Sequence, residues 1–115
     1  NFKILDLGTK NENKSVDYPT YAIKLAKKIN SKNYGILVCG SGIGMSIASN
    51  RFKNVRSALA NSINASKLSR QHNNANVICL GSRVTSKKIA TQCVLSFLST
   101  EFEGGRHSRR GKLLN

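Results

Sequence analysis

Residues 35–48, Gly-Ile-Leu-Val-Cys-Gly-Ser-Gly-Ile-Gly-Met-Ser-Ile-Ala, constrain this chain more than any other segment. Ile36–Cys39 reads as a buried strand and Gly40-Ser41-Gly42-Ile43-Gly44 as a tight turn. The small, apolar helix that follows, over about 43–51, is expected to turn Ile43, Ile47 and Ala48 inward. In an open α/β sheet, ligands bind at the C-terminal end of such a strand. Glycines let backbone approach a ligand, and the first N–H groups of a helix are free to face an anion. The spacing is neither the G-x-G-x-x-G of dinucleotide sites nor a Walker loop, since no Gly-Lys-Ser/Thr closes it. The glycines alone fit a ligand-free turn equally well; Cys39 and Ser41 tilt the reading towards a site.

The rest of the chain repeats the strand-then-helix theme. Residues 2–7 read as a strand and Gly8–Asp17 as a polar loop. Asp17 or Thr20 caps a helix over about 19–31, with Pro19 in its first turn and Ala22, Leu25, Ala26 and Ile29 on one face. Val55–Ala60 reads as a short strand, and Asn61 or Ser62 opens a helix to about Arg70. Gln71-His72-Asn73-Asn74 reads as a polar break, and Asn76–Gly81 as a buried strand. Thr85 or Ser86 then opens a helix over about 86–98, with Ile89, Ala90, Cys93, Val94 and Phe97 inward. Residues 101–115 read as a basic tail. Four alternating strand–helix units imply a parallel α/β sheet with right-handed crossovers.

One domain is expected from 115 residues, and no apolar run is long enough to span a membrane. Cys39, Cys79 and Cys93 are odd in number and widely spaced, which argues against a disulfide framework or a cysteine zinc site and for a reducing, cytoplasmic setting. Cys79 and Cys93 read as core residues. The net charge of +14 favours anionic partners: nucleic acid, a membrane surface or a phosphorylated metabolite. Lys24, Lys27, Lys28 and Lys32 recur as a solvated helix face, whereas Arg106, His107, Arg109, Arg110 and Lys112 are dense. Aromatic residues do not interleave with the basic ones, so a stacking platform for single strands is poorly supported.

Three features can carry chemistry. A helix N-terminus favours thiolate over thiol, which makes Cys39 a candidate nucleophile or base, or else a half-buried structural thiol. His72 lies among amide side chains that could orient it. Arg106, Arg109 and Arg110 suit bidentate phosphate recognition, or form a solvated tail. With two histidines and five acidic residues, no Ser-His-Asp set can be argued, and a carboxylate pair is poorly supplied, because Glu101 and Glu103 sit next to the basic tail rather than at a strand end.

Taken together, Asp17-Tyr-Pro-x-Tyr-Ala22, the 35–52 stretch, Val55-Arg-Ser-Ala58, Leu68-Ser-Arg-Gln-His-Asn-Asn-Ala-Asn-Val77, Gly81-Ser-Arg-Val84 and Phe102-Glu-Gly-Gly-Arg-His107 closely resemble the type B ribose-5-phosphate isomerases. This family includes galactose-6-phosphate isomerase subunits. The resemblance implies a Rossmann-like parallel sheet sandwiched between helices, and a homodimer or dimer of dimers with sites shared between subunits. It implies interconversion of ribose 5-phosphate and ribulose 5-phosphate with no metal and no organic cofactor. By the same resemblance Cys39 is the base, and the backbone of Gly40, Gly42 and Gly44 holds the enediolate with help from Ser41. His72 opens the sugar ring beside Asn73, Arg83, Arg106 and Arg110 hold the phosphate, and Tyr18 lines the sugar pocket. One departure is expected to matter: the chain opens at what would be the family's second strand, without its first strand and helix, which would leave a sheet edge unpaired. A hexose-6-phosphate isomerase of the same family and a basic nucleic-acid-binding domain are the alternatives.

Overall fold

The computed structural model describes residues 2–114. Its regular elements are α1 (Tyr18–Ala26), β1 (Gly35–Cys39), α2 (Ile43–Ser49), β2 (Ser57–Leu59), α3 (Ile63–Asn73), β3 (Val77–Gly81), α4 (Lys87–Ser99) and α5 (Arg106–Lys112). The strands form one parallel sheet in the order β1-β3-β2. A fold of three parallel strands and helices bears out the α/β reading, with differences at the ends.

The central strand explains the layering. Val77 and Cys79 point to one face of β3, and Ile78 and Leu80 to the other, as the two-residue period of a strand requires. All four are buried, because helices cover both faces. On the first face Val77 and Cys79 join Ala22, Ala26 and Ile29 of the α1 region, Leu37 of β1 and Met45 of α2. On the second, Ile78 and Leu80 pack with Cys93 and Phe97 of α4 and Ala60 and Ala75 around α3. Cys79 and Cys93 are therefore core residues, as expected.

Helix starts follow their caps. Ser62 accepts a hydrogen bond from Ala65 N at 3.1 Å and Ser86 one from Ile89 N at 3.2 Å, each satisfying an orphan donor of the first turn. Asp17 holds the N-cap place of α1 but makes no side-chain bond there.

Five expectations need correction. Residues 2–7 form no strand: ladder groups need a neighbouring strand, and among the described residues none lies beside them, so Ile4 is 90% exposed. The sheet thus has three strands, not four. β1 is buried on one face only, since helices cover it from the Leu37 side while Ile36 and Val38 stay exposed. α2 turns Met45 and Ser49 inward, and Ile43 and Ile47 outward.

The fourth correction concerns Gln71-His72-Asn73, which is not a break but the last turn of α3; Asn74 ends the helix in the left-handed region at φ 49°. Arg70, almost wholly buried, holds this turn. Its Nε donates to Thr100 O, and its Nη1 to Asn74 Oδ1 and Ala75 O, while its guanidinium lies 5.1 Å from the Tyr34 ring and 5.8 Å from the Phe97 ring. The basic tail is likewise ordered over Arg106–Lys112 as α5.

A candidate active site in two halves

The first half stands at the C-terminal ends of β1 and β3, where Cys39 pairs in register with Gly81. After Cys39 the chain reverses through Gly42, whose φ of +82° is a conformation that side chains disfavour. This turn aims the Gly42 N–H at the Cys39 sulfur, 3.2 Å away. Ser41 Oγ accepts from Ile43 N at 3.2 Å. Gly81 makes room for the turn, since a Cβ there would stand 2.5 Å from Ser41 O.

Two further predicted residues are drawn to the same place. Ser82 N donates to Cys39 O and Arg83 N to Gly40 O, which lays the Arg83 guanidinium over Gly40. The Tyr18 ring packs on Gly44, where a Cβ would be 2.5 Å from the ring. Cys39, Gly40, Ser41, Gly42, Gly44, Tyr18 and Arg83 therefore form one cluster. It presents a half-buried sulfur, backbone N–H groups and one guanidinium.

The second half stands elsewhere. α3 starts just after the C-terminal end of β2 and delivers the chain to the N-terminal end of β3. Its 11 residues span about 16 Å, at 1.5 Å per residue. His72 and Asn73, in its last turn, are thus at the opposite end of the sheet from Cys39. Arg106 and Arg110 are at this end too, because Glu103 N donates to Gln71 O at 3.0 Å and ties the start of the α5 segment to the end of α3. Gly104 and Gly105, both with positive φ, then fold α5 back so that the His107 ring stacks on His72 at 4.4 Å.

Glu103 faces both imidazoles, its Oε1 lying 4.0 Å from His72 Nε2 and 3.9 Å from His107 Nε2. Partial burial, then the neighbouring His72 and Arg106, hold His107 below the ordinary imidazole range, opposed by Glu103. His107 is 12% exposed at its side chain and His72 42%. Glu103 and His107 were not among the residues expected to serve the site. Their signal was the Glu-Gly-Gly-Arg-His spacing, an i,i+4 pair across two glycines. Asn61 was missed as well: its Oδ1 accepts from Gly81 N and Thr85 Oγ1, securing the end of β3 beneath the first half.

A cleft of about 290 Å³, lined by Lys32, Tyr34, Arg56, Arg70 and neighbours, and another of about 590 Å³ around Phe52 and Val55 are not lined by Cys39 or His72, although Asn73 lines the second.

A family model described as Ribose/Galactose Isomerase matches residues 1–114. Ribose-5-phosphate isomerase B of Escherichia coli is 39% identical over 110 residues, which cover 94% of this chain and 73% of that one. The solved structure of ribose 5-phosphate isomerase B from Anaplasma phagocytophilum superposes with a TM-score of 0.92 at 45% identity, covering 96% of this chain and 76% of that one. Ribose-5-phosphate isomerase B from Mycoplasma genitalium, solved with bound ribulose-5-phosphate, superposes with a TM-score of 0.94 at 42% identity, covering 98% of this chain and 77% of that one.

Proposed function

Since the chain belongs to the ribose/galactose isomerase family, we propose that it interconverts ribose 5-phosphate and ribulose 5-phosphate with Cys39 as the base that moves the proton. It is a sugar-phosphate isomerase. The observation that carries the assignment of the base is the Gly42 N–H directed at the Cys39 sulfur, in a turn that also offers donors to an oxygen.

The chemistry follows from that geometry. The Cys39 thiolate takes the proton from C2 of the open-chain aldose, and the C2–H electrons form the C1–C2 double bond of an enediolate. Backbone N–H groups of Gly40–Gly44 stabilise the negative oxygen, and preorganised donors of this kind are often the largest catalytic term. The thiol then returns the proton to C1 while Ser41 helps pass the hydroxyl proton from O2 to O1, giving the ketose. Arg83 holds the phosphate together with Arg106 and Arg110. Tyr18 lines the sugar pocket, and His72, beside Asn73, opens the furanose ring.

This division of labour needs a second copy. Cys39 and His72 serve one substrate only if the His72 end of one protomer meets the Cys39 end of another, so the working unit is a dimer with two shared sites. The separation of the halves by the length of α3 supports that reading. The three cysteines are free, which supports a reducing compartment such as the cytoplasm. Among the described residues, no helix is long and apolar enough to cross a membrane.

Turnover of ribose 5-phosphate deuterated at C2 tests the reaction. Proton transfer through Cys39 exchanges deuterium with solvent, so label is lost from product; complete retention at C1 would instead indicate a hydride shift.

A further inference from the structure

We infer that His72, Glu103 and His107 form a binding site for a divalent transition-metal ion of the zinc class, and that an ion there takes His72 away from the substrate. The second clause rests on the role of His72 given above; the first does not.

The donor set is two imidazole nitrogens and one carboxylate oxygen. That combination suits Zn²⁺ or Co²⁺, which bind three protein ligands and leave a fourth position for water. Two nitrogens among three donors argue against Ca²⁺ or Mg²⁺, which prefer oxygen. The three donor atoms all lie within 4.8 Å of one another. A tetrahedral ion with ligands at about 2.0–2.1 Å needs donors about 3.3 Å apart. From 3.9 and 4.0 Å, each Glu103–histidine distance has to close by well under 1 Å. The Glu103 side chain is half exposed and free to rotate into that position, and the two rings, now stacked nearly parallel, swing apart at their outer edges so that both Nε2 lone pairs converge on the ion.

The backbone is already arranged for this. Glu103 N is held by Gln71 O, and His107 N by Gly104 O at 3.1 Å, so the three ligands come from two tied segments. Arg106 and Arg110 on the same short helix oppose a cation. Occupancy is therefore reversible and removed by a chelator, unlike a permanent structural ion. An ion on His72 Nε2 uses the lone pair that ring opening requires, so zinc-class ions act as inhibitors of turnover.

The test is a Co²⁺ titration of the full chain, read by the intense visible absorption of four-coordinate cobalt without substrate. Saturable absorption at one ion per chain is expected, displaced by Zn²⁺ and by EDTA. Glu103→Gln and His107→Gln, each checked for folding by thermal melting, should weaken binding at least tenfold, while Cys39→Ala should leave it unchanged. No absorption, native affinity in either glutamine variant, or loss in Cys39→Ala would overturn the site. Zn²⁺ should inhibit ribose 5-phosphate turnover over the same concentration range; binding with undiminished turnover would overturn the link to His72. Because binding is read without substrate, a negative result there leaves the isomerase assignment standing.

Discussion

The Gly42 N–H donates to the Cys39 sulfur at 3.2 Å across a left-handed turn. A donor aimed at sulfur stabilises thiolate, and thiolate is the form that abstracts a proton. Cys39→Ala should lower kcat by about 10²–10⁴-fold, the usual contribution of a positioned base. Calorimetric binding of ribose 5-phosphate should survive with little change. Retained turnover would remove Cys39 from the mechanism.

His72 acts before the proton moves. His72→Ala should slow turnover of ribose 5-phosphate, which is mostly ring-closed, far more than that of an open-chain sugar phosphate. Stopped-flow comparison of the two substrates measures this difference, and equal losses would contradict a ring-opening role.

Arg110 is exposed on α5, in the second half. Phosphate anchoring acts on ground and transition states alike, so Arg110→Ala should raise KM and leave kcat nearly unchanged. Steady-state kinetics separate the two; a fall in kcat with constant KM would place Arg110 in the chemistry.

Gly81 packs against the turn that carries Ser41. A Cβ at 81 would meet backbone atoms Ser41 O and C at 2.5 and 2.6 Å, which cannot rotate away. Gly81→Ala should cost about 1–3 kcal/mol, typical of overpacking, and lower kcat by moving the Gly40–Gly42 amides. Urea unfolding and kinetics on the same variant read both effects.

The buried thiols give a pH dependence. Burial pushes Cys79 above its ordinary value of 9.0, partly offset by its contact with Ser57; burial raises Cys93 as well. As pH rises above 9.0, the unfolded chain releases these protons and the folded chain keeps them, so stability falls with rising pH. Cys79→Ala should flatten the fall in Tm between about pH 8 and 10, one unit either side of the ordinary value of 9.0. In native protein, iodoacetamide at about pH 8, near the ordinary thiol range, should modify Cys39 and spare the other two.

How legible the fold was depended on whether a residue's neighbours lay nearby in sequence. Ser62 and Ser86 announced their helices because a cap bonds three residues ahead. β3 was readable because a five-residue apolar run covered on both sides has few alternatives. β1 looked equally apolar, yet its edge position, which exposes Ile36 and Val38, depends on what lies beside it in the sheet. The inward face of α2 is set by the fit of Gly44 against Tyr18, so Met45 and Ser49 are buried and the larger Ile43 and Ile47 are not. The last turn of α3 was hidden by its polar Gln71-His72-Asn73, which Arg70 secures through the Ala75 carbonyl five positions on and the Thr100 carbonyl thirty positions on. In the site, Cys39 and its glycines were evident from local spacing, whereas Glu103 showed only its i,i+4 spacing to His107; its approach to His72 joins two separate helices. That His72 stands at the far end of the sheet from Cys39 follows only once α3 is seen to run against the strands.

That separation makes complementation the most direct test of the shared site. Cys39→Ala and His72→Ala chains, each inactive alone, should be co-expressed and their mixed dimers assayed with ribose 5-phosphate. A mixed dimer pairs the two lesions in one site and leaves the other with both native residues, so random mixing should restore about a quarter of native activity, as two-fold symmetry requires. A verified mixed dimer that stays as inactive as its parents would show that Cys39 and His72 do not meet across protomers.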